Sequence, residues 1–134
     1  MYSQIIEEIR VATGITAGIL VLFEMFAVVA RRVKKINLKI FRGKYHKTLG
    51  IAMMLLAIMH GCLAMYTVII ERRLSLPVVV TMLTGILAIA FTILTVFFYF
   101  NRSKTKNWIR KHCLAAMALL ICGIIHIIFN QFMI

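Results

Sequence analysis

The sequence predicts an all-α integral membrane protein, a bundle of four transmembrane helices. Three observations carry this expectation. The chain of 134 residues is 63% hydrophobic, more than a soluble domain of that size carries. It holds four apolar runs of about the 20 residues needed to cross a bilayer. Most of its basic residues fall between those runs.

The expected spans cover residues 9–30, 44–70, 77–100 and 111–132, so that 1–134 reads as a single transmembrane domain. The first span is read as a permanent helix. Its leading segment "MYSQIIEEIR" lacks the net positive charge of a signal peptide, and "AVVARR" offers no small-residue cleavage site. Gly14 and Gly18 form a G-x-x-x-G there, a pattern that favours close helix packing in lipid. The second span ends at the short connection "ERRLSLP", which makes its neighbour antiparallel. Pro77 opens the third span, where a missing N–H costs nothing. Trp108 precedes the fourth, a common place for an interfacial anchor.

The formal net charge is +12. Ten of the sixteen Lys and Arg residues lie between the first and second spans or between the third and fourth, and Lys44, Lys47 and Lys111 stand at the start of the spans that follow. The positive-inside rule then puts both basic loops in the cytoplasm and both termini outside, in what is expected to be a prokaryotic cytoplasmic membrane. Topology and contact with anionic lipid account for this charge, so no nucleic-acid partner is expected. Cys62, Cys113 and Cys122 form neither C-x-x-C nor C-x-x-C-H, which leaves covalent c-type haem unsupported and apolar packing as their expected role.

The four histidines are the chemical content of the chain. "HKTLGIAMMLLAIMH" runs from His46 to His60, and "HCLAAMALLICGIIH" from His112 to His126, with equal spacing. Each half of the chain reads as a span inward, a basic loop and a span outward bearing one histidine pair. This is a weak two-fold repeat about the membrane normal. The second and fourth helices are then parallel. Fourteen residues rise about 21 Å along a helix and return to within about 40° of the starting face. His46 is expected at the depth of His112, near the cytoplasm, and His60 at the depth of His126, near the outer face.

Two histidines per level, without a nearby carboxylate or thiolate pair, make a poor tetrahedral zinc site and a poor acid–base site. They suit a bis-histidine haem, with one imidazole from each of two helices. The expectation is two haem b groups stacked between the second and fourth helices. His46 and His112 would hold the inner group, and His60 and His126 the outer one. Each histidine is thereby also a candidate iron ligand. Ionisable residues inside a membrane are expensive and usually functional. Gly50, Gly61 and Gly123 could yield space to a porphyrin edge. Lys44, Lys47, Arg110 and Lys111 could neutralise inner propionates, and Arg72 or Arg73 outer ones, although snorkelling at helix ends explains the same residues.

With "HKTLG" leading into one histidine helix and "NWIRKH" into the other, residues Lys44 to Gln131 resemble the diheme membrane cytochromes b. The closer resemblance is to the ferric-reductase-like transmembrane domain. That resemblance implies axial ligation by His46, His60, His112 and His126 and an electron-transfer role. The chain departs from full-length ferric reductases and oxidases, which have further helices and flavin or nicotinamide domains. An independent reductase activity is therefore not expected of these residues. The chain reads as one subunit of a larger complex or homo-oligomer.

The expected function is electron carriage across or within the membrane, between a cytoplasmic or membrane redox partner and quinone or an outer-side acceptor. The partner would be a flavoprotein or iron–sulfur protein. Cytoplasmic positive charge would raise the inner haem's potential. Glu24, inside the first span, could handle a proton for quinone or rest as a buried neutral carboxyl. Asn130 and Gln131 mark either the membrane exit or a ligand contact. Met53, Met54, Met59 and Met65 are read as packing. The rival reading is a small four-helix transporter, in which the histidines and Glu24 form a proton or metal path. A membrane anchor without haem is a third.

Overall fold

A computed structural model describes residues 2–34, 44–71 and 75–132. It is all-helical: α1 (Tyr2–Lys34), α2 (Lys44–Glu71), α3 (Leu76–Phe100) and α4 (Trp108–Phe132). All four are long and apolar enough to cross a membrane. The chain is therefore an integral membrane protein by the length and composition of its helices.

The ends of the helices follow local chemistry. Ser75 stands in extended conformation just before α3, and Pro77 occupies the first turn, where its missing N–H is no loss. At the other end of α3 the Asn101 amide N–H bonds the Phe97 carbonyl, and the Asn101 side chain donates to the same oxygen at 3.1 Å. The link 101–107 ends at Asn107, whose φ of 57° lies in the left-handed region that Asn tolerates better than most residues. Of the basic segment between α1 and α2, Lys35, Lys39 and Arg42 lie outside the described residues, as do Arg72 and Arg73.

The helices pack chiefly as two antiparallel pairs, α1 with α2 and α3 with α4, joined through α2 and α3. The backbones of α2 and α4 scarcely approach each other. Large apolar side chains such as Ile19, Phe26, Leu55, Ile69, Leu114 and Ile121 point outward, as lipid-facing surfaces do. The small interior contains Met53, Ala115 and Leu119 together with Thr13, Thr92 and Thr95. Each of these threonines donates its hydroxyl to the carbonyl four residues earlier, at 2.7–2.8 Å. The polar group is thereby satisfied within its own helix, as a low-dielectric interior requires.

Candidate functional site: two stacked imidazole pairs

The structure brings His46 to His112 and His60 to His126, as it can only if α2 and α4 run in the same direction. The ring centres are 5.9 Å apart in the first pair and 6.1 Å in the second. The planes are close to perpendicular, at 81° and 90°. Along each helix the two levels are separated by about 21 Å of rise.

Every imidazole is held by its Nδ1. His60 Nδ1–H donates to the Arg10 carbonyl (2.8 Å), His112 to the Thr95 carbonyl (2.9 Å) and His126 to the Thr81 carbonyl (2.9 Å). A carbonyl oxygen only accepts, so in these three rings Nδ1 carries the proton, and in the neutral imidazole Nε2 then keeps its lone pair. His46 Nδ1 faces the Glu24 carboxylate instead, at 2.7 Å. Locking one ring nitrogen by a carbonyl or carboxylate is how proteins orient a histidine for ligation through the other.

The partners come from α1 and α3 in matching register. Arg10, Thr13, Gly14 and Glu24 stand along α1 as Thr81, Thr84, Gly85 and Thr95 stand along α3. Thr13 donates to the Arg10 carbonyl at 2.9 Å, and Thr84 to the Thr81 carbonyl at 2.9 Å. These are the carbonyls that receive His60 and His126. In an α-helix the carbonyl of residue i points at residue i+4, so a ring reaching the Arg10 or Thr81 oxygen passes beside Gly14 or Gly85. A Cβ on Gly14 would lie 2.7 Å from His60 Cε1, and one on Gly85 would lie 3.1 Å from His126 Cε1. Glycine is required at the first of these by the close approach of the ring.

Gly14 therefore seats an imidazole and is not simply half of a helix-packing pair, while a Cβ on Gly18 would meet nothing. Gly61 faces Ile89 of α3, where a Cβ would come within 2.6 Å of its side chain. Gly50 and Gly123 have open space where a Cβ would point. Lys47 lies over the Phe100 ring at 4.8 Å, and Arg110 and Lys111 are exposed. Lys44 begins α2, but its side chain lies outside the described residues, as does that of Gln131. Cys62 is exposed and no cysteine is paired among the described residues.

A cavity of about 90 Å³ adjoins the first pair. Glu24, Met25, His46, Lys47, Gly50, Met53, Tyr99 and His112 are among the residues that line it. Tyr99 sits edge-on to His46 with ring centres 5.9 Å apart. Trp108 packs near His112 at 6.2 Å. Among the described residues no group of three or more His, Cys, Asp or Glu is placed to hold a metal ion. Each level offers two nitrogen donors, and at the first the Glu24 carboxylate stands 2.7 Å from His46, which corrects the expectation that no carboxylate lies beside the histidines. No family model, curated protein or solved structure matches this chain.

Proposed function

We propose that the chain is a diheme b-type cytochrome subunit that carries electrons across or within a membrane. The observation that supports this best is the pair geometry. Bonds from a metal to imidazole nitrogen run about 2.0–2.1 Å, so two imidazoles on opposite sides of one ion have ring centres about 6 Å apart. Both pairs meet that spacing.

Other features fit the same group. All four rings have Nδ1 engaged, which leaves Nε2 for ligation. The α2 and α4 backbones stand apart between the pairs. The cavity at the first pair is smaller than a porphyrin, but Met25 and Met53 border it, and unbranched methionine side chains adapt to an inserted group. His46 and His112 would hold one haem and His60 and His126 the other. Bound there, haem supplies a reversible one-electron carrier at each level.

The residues of this chain do the remainder. The Nδ1 acceptors on α1 and α3 orient the four imidazoles. Thr13, Gly14, Thr84 and Gly85 seat the second pair. The apolar faces of the helices exclude water. Lys47, at the cavity wall, is placed to meet an anionic propionate. The basic segments, cytoplasmic by the positive-inside rule, would dock an acidic flavoprotein or iron–sulfur partner, with quinone or an outer-side acceptor at the other end.

The test is a dithionite-reduced minus oxidised visible spectrum of the purified chain, with haem quantified per polypeptide. Sharp b-type bands and about two haems per chain are expected from two bis-histidine sites. A colourless protein after expression with ample haem would sink this reading in favour of a proton or metal path.

A further inference from the structure

We propose that Glu24 makes the two haem sites unequal, holding the His46/His112 site at a lower reduction potential than the His60/His126 site. The proposal rests on the diheme reading above. Three of the four histidines donate to neutral main-chain carbonyls. His46 alone donates to a carboxylate. In the matching register of α3 stands Thr95, whose hydroxyl bonds Phe91 while its carbonyl receives His112 at 2.9 Å. A carbonyl thus suffices to orient a ring at this depth. What Glu24 adds, when ionised, is negative charge.

The charge acts on the iron ligand. A carboxylate pulling on the Nδ1 proton increases electron donation from Nε2, which favours the oxidised metal over the reduced one. The carboxylate is also poorly solvated: its side chain is 13% exposed, and Oε1 is buried with no hydrogen-bond partner among the described residues. An anion in that setting is costly unless a positive centre faces it. The oxidised site carries one more positive charge than the reduced one, so burial of Glu24 again favours oxidation.

The basic loops act in the opposite sense, and magnitude decides between them. Solvent screens exposed charge beyond about 8–10 Å. Glu24 acts in direct contact, in a medium far less polarisable than water. Lys47 borders the same cavity, but it is exposed and its ammonium lies over the Phe100 ring, so the contact with Glu24 wins and the inner site becomes the weaker oxidant. An electron delivered to the His46/His112 end then runs downhill to the His60/His126 end.

The experiment is a redox titration of the haem-loaded full chain and its variants, followed by visible absorbance. His126→Ala leaves the inner haem for observation alone, and His112→Ala leaves the outer one. The inner haem is expected to have the lower potential. Glu24→Gln, made in the His126→Ala background, is expected to shift the reduction equilibrium toward the reduced form on the order of tenfold, or about 59 mV for one electron. The same change in the His112→Ala background is expected to leave the potential unmoved. An inner haem of higher potential, or an unmoved inner potential in the Gln variant, overturns the role of Glu24 and leaves the diheme reading intact. A colourless parent chain overturns both. Should Glu24→Gln lose the inner haem, the order of potentials in the two single-haem chains still decides.

Discussion

The α1–α2 half and the α3–α4 half build the same device with different residues. In each, the second helix carries two histidines at equal spacing, and the first helix presents an acceptor to each of them. In each, a threonine and a glycine follow the acceptor of the second pair, at Thr13–Gly14 and Thr84–Gly85. The halves differ most at the first pair, where α1 offers a carboxylate and α3 a carbonyl; at the second, the Thr84 hydroxyl also lies 3.4 Å from His126 Nδ1. The shared parts concern where the imidazoles sit. The part that differs concerns charge, and so the electronic character of the site. If two haems are held as proposed, a duplicated scaffold would place two like groups and still give them unlike properties.

The largest expected effects come from breaking a pair across the halves. On the diheme reading, His46→Ala and His112→Ala should each reduce bound haem from about two per chain to about one, as each would remove a ligand of the same group. His60→Ala and His126→Ala should do the same for the other haem. Haem quantification with difference spectra checks this, and the spectra remaining after His46→Ala and His112→Ala should coincide. Loss of different spectral components from those two variants would break the pairing.

The glycines sharpen the comparison. At Gly14 a Cβ would lie 2.7 Å from both His60 Cε1 and Nδ1, whereas at Gly85 the nearest atom, His126 Cε1, is 3.1 Å away. Gly14→Ala should displace His60 at an overpacking cost of about 1–3 kcal/mol, seen as weaker retention of the outer haem. Gly85→Ala needs only a small movement of His126, and the roughly 1 kcal/mol helix preference of Ala over Gly offsets much of it. Gly18→Ala, in open space, should be neutral or slightly stabilising. The order Gly14, Gly85, Gly18 in loss of haem and of thermal midpoint checks the three together.

Much of this arrangement was legible in the residues themselves. Apolar length alone marked the four helices, because a bilayer imposes that length whatever the packing. Equal histidine spacing, read with parallel α2 and α4, put His46 level with His112 and His60 level with His126. The Nδ1 partners were not legible. They depend on the register of α1 against α2 and of α3 against α4, which spacing along one helix does not contain. One signal was present and unread: "TGI" occurs at Thr13–Ile15 and again at Thr84–Ile86, each time on the helix before a histidine helix. The G-x-x-x-G spacing points Gly14 to helix packing, whereas a ring, not a helix, fills the space beside it. Glu24 was visible as a buried acid, but its partner His46 lay on another helix and only the fold supplied the contact.

The smallest expected effect concerns the two threonines. The Thr13 hydroxyl bonds the Ile9 and Arg10 carbonyls at 2.8 and 2.9 Å, and the Thr84 hydroxyl bonds the Val80 and Thr81 carbonyls at 3.1 and 2.9 Å. Valine has nearly the same shape and no donor. Thr13→Val and Thr84→Val should each cost about 1 kcal/mol or less, since a helical carbonyl keeps its amide partner when the hydroxyl goes. Both variants should keep two haems, because the Arg10 and Thr81 oxygens remain available to His60 and His126. The two costs should agree within about 0.5 kcal/mol if the halves are equivalent here. Thermal unfolding of the two variants side by side measures the difference. A marked inequality would show that the Thr84 contact with His126, 3.4 Å from Nδ1, makes the second pair unequal as well, and Glu24 would then account for only part of the difference between the halves.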